Sequence, residues 1–252
     1  MQIHLYGLIG YPLSHSFSQK YFTEKFAKEG REGYLYNNFP IADISELRNL
    51  LERHPDLYGF NVTIPYKEQI VPYIDEMDDS AFGVGAVNTV LILRDGNNMR
   101  LKGYNTDVYG FGRSLEEWFT ALDADLPQKA LVLGSGGASK AVVYALSCLG
   151  IVANVVSRQK GMTYNSLNAD DIAAHRLIVN TTPVGMFPNV DECPAIAYQY
   201  LTEEHYLYDL VYNPCETLFM RKGLENGAKA LNGERMLHLQ ADKAWEVWSK
   251  KC

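Results

Sequence analysis

No run of about 18 apolar residues occurs in this chain, no tract of basic residues collects anywhere, and no two cysteines stand at Cys-x-x-Cys spacing. The first absence excludes the ordinary membrane-crossing helix. The second, with a formal net charge of −7, argues against nucleic acid as a partner. The third leaves Cys148, Cys193, Cys215 and Cys252 without a disulfide framework and without metal-like clustering with histidine, the usage of a reducing cytosol. No His/Cys/Asp set has ligand spacing, so no metal is expected. Met1-Gln-Ile-His-Leu-Tyr-Gly reads directly as a strand with no basic leader, which predicts a soluble, unexported, cytoplasmic protein. Internal repeats and low-complexity segments are also lacking.

What is present is enough chain for a substantial core. A protein of 252 residues buries roughly 70–75% of the surface its unfolded form exposes, so it needs no staple. Strand-like and helix-like segments alternate, the pattern of parallel sheets with crossover helices. Strands are expected at Leu5–Ile9, Tyr34–Phe39 and Gly59–Thr63, and a hairpin at Val87–Leu93 and Met99–Gly103 around the turn residues Asp95-Gly96-Asn97-Asn98. Helices are expected from Ser18 to Glu29, with Gly30 as the stop, and over Ile44–His54.

A helix from Asp107 to Ala121 follows, then Asp123-Ala-Asp-Leu-Pro127-Gln as the approach to a second unit. Ala130–Leu133 is a fully apolar strand of the buried parallel kind. A helix to Leu149 comes next, with Cys148 expected in the core, then strands at Ile151–Val156, Leu177–Asn180 and Leu207–Val211. A last helix from Met236 to Ser249 carries Leu239, Trp245 and Trp248 at roughly helical spacing.

Between the Ala130–Leu133 strand and its helix stands Gly134-Ser-Gly136-Gly137-Ala138-Ser139. Missing Cβ atoms let backbone approach a pyrophosphate, and the helix N-terminus offers free N–H groups and positive dipole. Alone, such a trio also marks a mere tight turn. The cofactor ribose belongs after the next strand, where NAD-selective sites place an acid. Ser157-Arg158-Gln159-Lys160 stands there instead. Arg158 and Lys160 suit a 2′-phosphate, which favours NADP; read blandly, they are two solvated cations. The segment from Gly161 to Ala174 looks short for a full helix-and-strand unit.

Upstream, Asn61-Val-Thr63-Ile-Pro-Tyr-Lys67 and Gly103-Tyr-Asn105-Thr-Asp107 put a lysine and an aspartate just past two strands. An ammonium beside a carboxylate, next to a bound dinucleotide, can move a proton while a hydride moves. By themselves Lys67 reads as an exposed charge and Asp107 as a helix N-cap. Ser16 and Ser18, where a strand enters a helix, can receive a carboxylate; Ser18 reads equally as an N-cap. Asn61, Thr63, Asn88 and Asn105 offer short neutral groups suited to vicinal hydroxyls.

These stretches, with Ser16-Phe-Ser18, Gly85-Ala-Val-Asn88-Thr89, Thr181-Thr-Pro-Val-Gly-Met186, Asp209-Leu-Val-Tyr212-Asn-Pro and Gly233-Glu-Arg-Met236-Leu-His-Leu-Gln240, resemble the shikimate dehydrogenase family in order nearly to the C-terminus. The resemblance implies an N-terminal, mostly parallel α/β substrate domain over 1–106, a Rossmann-like NADP domain over 107–235, and a C-terminal helix over 236–252 returning to the first. It implies Lys67 and Asp107 as the catalytic pair. It implies Ser16, Ser18, Asn61, Thr63, Asn88, Tyr212 and Gln240 around the substrate. Gly134, Gly136, Gly137, Ala138, Ser157, Arg158, Lys160, Thr181, Gly233 and Met236 would hold NADP(H).

The implied reaction is reversible reduction of 3-dehydroshikimate to shikimate by NADPH, in a monomer or homodimer with no nucleic-acid or membrane partner. Where the family stretch resembles Asn-Arg-Thr, this chain has Ser157 and Gln159. One alternative is a quinate/shikimate dehydrogenase using NAD, which an acid after Val156 would favour; none is there. The other is a catalytically inactive cofactor-binding regulatory relative, which would have a broken Lys/Asp pair.

Overall fold

The computed structural model describes residues 3–13, 17–96 and 98–250. They divide into two compact units, one drawn from Met1–Thr106 and Ala241–Cys252, the other Asp107–Gln240.

The first unit runs β1 (His4–Gly10), α1 (Phe17–Lys28), β2 (Tyr34–Pro40), α2 (Leu47–Arg53), β3 (Leu57–Val62), α3 (Tyr66–Gln69), β4 (Glu76–Met77), α4 (Asp79–Val84), β5 (Thr89–Asp95) and β6 (Asn98–Tyr104). Its sheet has the order β2-β1-β3-β5-β6-β4. The β1 pairings to β2 and β3 and the β4–β6 pairing are parallel, whereas β3–β5 and the β5–β6 hairpin are antiparallel.

Local chemistry explains the elements. Helix α1 buries Phe22 and Phe26, four residues apart on one face, and ends where Gly30 takes φ 63°. Ser18 lies inside the first turn of α1 and is therefore not the N-cap expected of it. The expected 44–54 helix opens as a 3₁₀ turn at Ile44–Glu46, where Asp43 and Glu46 form a capping box.

One face of the sheet carries a core built on Leu5, Ile9, Leu47, Phe60 and Val90. The other face packs Tyr6, Phe22, Phe26 and Tyr36 against Ala241, Ala244, Trp245 and Trp248. The Trp248 indole stacks on Tyr6 at 5.0 Å and donates to the Val90 carbonyl at 3.0 Å. Gly59 makes room for it, since a Cβ there would lie 2.4 Å from Nε1.

Helix α5 (Thr106–Ala121) leads into the second unit: β7 (Lys129–Leu133), α6 (Gly137–Cys148), β8 (Val152–Ser157), β9 (Met162–Thr163), α7 (Ala169–Ala174), β10 (Leu177–Asn180), β11 (Tyr206–Asp209), α8 (Leu218–Glu225), β12 (Lys229–Leu231) and α9 (Glu234–Ser249). The sheet is parallel throughout, in the order β12-β11-β10-β7-β8-β9. Strand order reverses between β7 and β10. That is the doubly wound arrangement whose switch point opens a crevice at the carboxyl ends of the strands. Between β8 and β10 the chain fits the two-residue β9, a 3₁₀ turn at Tyr164–Ser166 and the short α7, capped by Asn168. Cys148, expected in the core, is exposed at the end of α6.

Candidate functional site

In the second unit the glycine turn falls at the switch point. Gly134 follows β7 with φ 111°, a conformation that favours glycine, and its N–H donates to Val156 O at 2.8 Å. A Cβ on it would strike Thr181 Oγ1 at 2.8 Å and Thr182 Cγ2 at 2.9 Å. The turn after β10 is thus packed directly on the turn after β7. Gly136 differs: as the N-cap of α6 it has φ −84°, and a Cβ built there meets nothing within 4 Å. Neither backbone conformation nor the chain's own packing calls for glycine at that point. Open space above a helix N-terminus, with Gly137 and Ala138 forming its first turn, fits a pyrophosphate.

Beyond β8, Ser157 is buried and its hydroxyl closes the following turn. It donates to Lys160 O at 2.6 Å and accepts from Lys160 N–H at 2.9 Å. Its part is to shape the loop, while Arg158, Gln159 and Lys160 stand exposed. Arg158 lies near enough to Tyr164 for its charge to offset some of the burial that pushes the Tyr164 hydroxyl up.

Thr181 joins β7 and β10 by donating from both its N–H and its hydroxyl to Leu133 O, at 3.0 and 2.7 Å. Gly233 is buried with its Cα against Leu210, where a Cβ would meet the carbonyl oxygen. Met236 belongs to the core with Phe111 and Tyr208. Tyr212 is 42% exposed in the loop after β11, and Gln240 donates to Leu237 O at 2.9 Å.

In the first unit, residues from three strands and two helices join in one polar network at the carboxyl end of β3. Tyr36 donates to Asn61 Oδ1 at 2.8 Å and also bonds Ser18. Burial pushes the Tyr36 hydroxyl well above the usual phenol range, and the Ser18 contact only partly opposes it. Asn61 Nδ2 donates to Thr89 Oγ1 at 2.9 Å and to Asn88 O at 3.3 Å. With both amide hydrogens engaged, Asn61 keeps only a lone pair of Oδ1 for a ligand.

Asn88 is set the opposite way. Its Oδ1 accepts from Thr106 N–H at 2.7 Å, which fixes the amide orientation because an N–H can only donate. Its Nδ2 takes no acceptor among the described residues. Thr63 is half-buried where β3 ends, bonded to Ile9 O through its N–H. Asn105 is buried, donating to Ala86 O at 2.9 Å, with its own Oδ1 enclosed and without a partner among the described residues. Ser16 lies outside the described residues.

Lys67 is on α3, half-buried, and its carbonyl anchors Val87 N–H at 2.8 Å. Asp107 is in the first turn of α5, the residue after Thr106. The two belong to different units.

Several network residues escape a reading of the sequence. Tyr36 is one aromatic in a strand and carries no signal of its own. Thr106 stands inside the Asn-Thr-Asp run and could have been found there. Asn180 and Asp209 end β10 and β11 fully buried, and a carboxylate within Tyr-Leu-Tyr-Asp-Leu-Val was a legible anomaly.

The family model for the shikimate dehydrogenase substrate binding domain matches residues 8–90, which hold Ser18, Tyr36, Asn61, Lys67 and Asn88. A shikimate dehydrogenase (NADP(+)) of Methanococcus maripaludis is 37% identical over 264 residues, spanning 97% of this chain and 91% of the relative. The chain belongs to the shikimate dehydrogenase family.

Among solved structures of that family, the shikimate 5-dehydrogenase of Thermus thermophilus in complex with NADP(H) and shikimate is 30% identical, with a TM-score of 0.83 over 98% of this chain and 94% of the other. The quinate dehydrogenase of Corynebacterium glutamicum in complex with NAD is also 30% identical, with a TM-score of 0.87 over the same shares. Among the described residues no helix is long and apolar enough to cross a membrane.

Proposed function

We propose that this chain is an NADP-dependent shikimate dehydrogenase that reversibly reduces 3-dehydroshikimate to shikimate. The near full-length identity to an NADP(+) shikimate dehydrogenase carries the reading. Residues 1–106 with 236–252 form the substrate-binding catalytic domain, and 107–235 the NADP-binding domain. The enzyme works in the cytoplasm as a monomer or homodimer.

NADPH, when bound, supplies the hydride for the ketone carbon. Gly134, Gly136, Gly137 and Ala138 hold its pyrophosphate with the backbone N–H groups of α6. Arg158 and Lys160 take the 2′-phosphate on the turn that Ser157 closes. Thr181, Gly233 and Met236 border the nicotinamide end. Ser16 and Ser18 receive the substrate carboxylate, and Asn61, Thr63, Asn88, Tyr212 and Gln240 hold its hydroxyls.

As negative charge grows on the ketone oxygen, the Lys67 ammonium stabilises it and donates the proton. In the reverse direction the neutral Lys67 amine removes the proton from the hydroxyl. Asp107 is the second member of the pair that handles the proton.

A second reading, a quinate/shikimate dehydrogenase using NAD, is supported by the likeness to the quinate dehydrogenase complexed with NAD. Absorbance at the NADPH band, with shikimate and quinate each crossed with NADP and NAD, separates the two. Shikimate with NADP should turn over fastest, and Lys67→Ala should lower that turnover by roughly 10²–10⁴-fold. Quinate with NAD as the best pair would favour the second reading. Absence of turnover on all four pairs would leave a cofactor-binding regulator.

A further inference from the structure

At the carboxyl ends of β10 and β11, Asn180, Asp209 and Thr217 meet, each fully buried. Among the described residues no cation pairs with Asp209. Its partners are three donors instead. Asp209 Oδ1 accepts from Asn180 Nδ2 at 2.9 Å and from Val211 N–H at 3.0 Å, and Oδ2 accepts from the Thr217 hydroxyl at 2.6 Å.

The contact to Asn180 is relayed outward. While Asn180 Nδ2 is held by Asp209 and also donates to Val184 O at 3.4 Å, its Oδ1 faces the turn after β10, where it accepts from Thr182 N–H at 3.0 Å and from the Thr182 hydroxyl at 2.6 Å. Thr182 Oγ1 in turn accepts from Val184 N–H at 3.3 Å. The turn so held is the one against Gly134, within 2.9 Å of where a Cβ would stand. A continuous hydrogen-bonded path therefore leads from a buried carboxylate to one wall of the dinucleotide crevice.

The other carboxylate oxygen serves a separate element. Thr217 caps α8, accepting from Met220 N–H at 3.3 Å while donating to Asp209.

Packing alone does not call for a carboxylate here, because an apolar residue would fill the space without the cost of desolvating a charge. An acceptor-only group does what no apolar or amide side chain can: it receives all three donors at once and leaves Asn180 a single orientation.

We propose that Asp209 is a positioning residue for cofactor binding: by accepting from Asn180 it turns that amide so that its oxygen holds Thr182, and so sets the 181–184 wall beside the glycine turn. The inference rests on the NADP-binding reading above. Asp209 itself touches no cofactor.

Three variants test it: Asp209→Asn, Asn180→Ala and Thr217→Val. Amide hydrogen exchange is read on the apoprotein, NADPH affinity by nicotinamide fluorescence, and stability by thermal melting. Asp209→Asn and Asn180→Ala should each speed exchange at Thr182 and Val184 about 10-fold or more and weaken NADPH roughly 10-fold. Combined, they should do no more than either alone, because they break one relay. Thr217→Val should lower the melting temperature and loosen the first turn of α8, with exchange at 182–184 and NADPH affinity held within about 2-fold.

The proposal falls if Asp209→Asn leaves exchange at 182–184 and NADPH affinity unchanged, or if it raises exchange uniformly over residues 107–240. If Asp209→Asn does not fold, Asn180→Ala decides by the same readings. An unmutated protein that fails to bind NADPH would end the cofactor reading, while exchange in the apoprotein would still judge the relay.

Discussion

Arg158 and its neighbours show how a residue's role depends on which of its atoms remain uncommitted. Ser157 hydrogen-bonds within its own turn, so the groups left to face a ribose phosphate are the exposed Arg158 and Lys160. A guanidinium–phosphate contact is charge-assisted, and Arg158→Ala should weaken NADPH roughly 10–150-fold while leaving NADH nearly unaffected. Titration of both cofactors checks this. Equal weakening of the two would make Arg158 a support of the loop and pass the 2′-phosphate to Lys160. The arginine stands out in the sequence because an acid is missing from a position that usually holds one. The serine's role does not, because nothing in its position distinguishes a hydroxyl turned to a ligand from one that closes a turn three residues long.

Elements were more legible than single side chains, since hydrophobic period and punctuation both report on them. The β7 strand, the glycine turn and α6 follow from an apolar run, glycine and a helical pattern in sequence. Shorter pieces left no period to read: β12 has three residues, β9 two, and α7 six. α8 could have been found from its Thr217 cap ahead of Leu218 and Phe219. The end of α9 tests how far one element supports another. Trp248 is 1% exposed and touches Tyr6, Phe22 and Tyr36 as well as the Val90 carbonyl. Trp248→Ala should cost about 3–5 kcal/mol of stability in the first unit, read from urea unfolding. A loss within about 0.5 kcal/mol, the scale of a surface substitution, would mean that the helix end contributes little to that core.

Over the whole molecule each unit has cores of its own, and charge enters them sparingly. Asp209 is the instructive case. Burial pushes its carboxyl from 3.8 up to about 6, with the bonds from Thr217, Val211 and Asn180 only partly opposing the rise, and Tyr198 is close enough to feel its charge. Between those values the folded protein keeps a proton that the unfolded chain has released. Stability should therefore fall as pH rises from about 4 to about 6, by as much as about 3 kcal/mol, and level off above. Unfolding of Asp209→Asn, compared with the unmutated protein across that window, should lack this component of the slope. Identical slopes would place the carboxyl at its ordinary value. The existence of both sheets could be read in advance from alternating segments, but their strand order could not, and this carboxylate's surroundings come from residues 29 and 8 positions away along the chain, which no local pattern brings together.

On the proposed reading of Asn88 as a substrate contact, its fixed amide has a consequence for what the enzyme can tell apart. With its oxygen pinned by a backbone N–H, the amide presents only hydrogens to a ligand. A ketone and an alcohol both satisfy it, whereas an ammonium in the same place, with nothing but hydrogens to offer, does not. As a substrate contact, Asn88 is therefore blind to oxidation state and alert to nitrogen: it can grip the oxidised and the reduced ring alike and turn away an amino analogue of either.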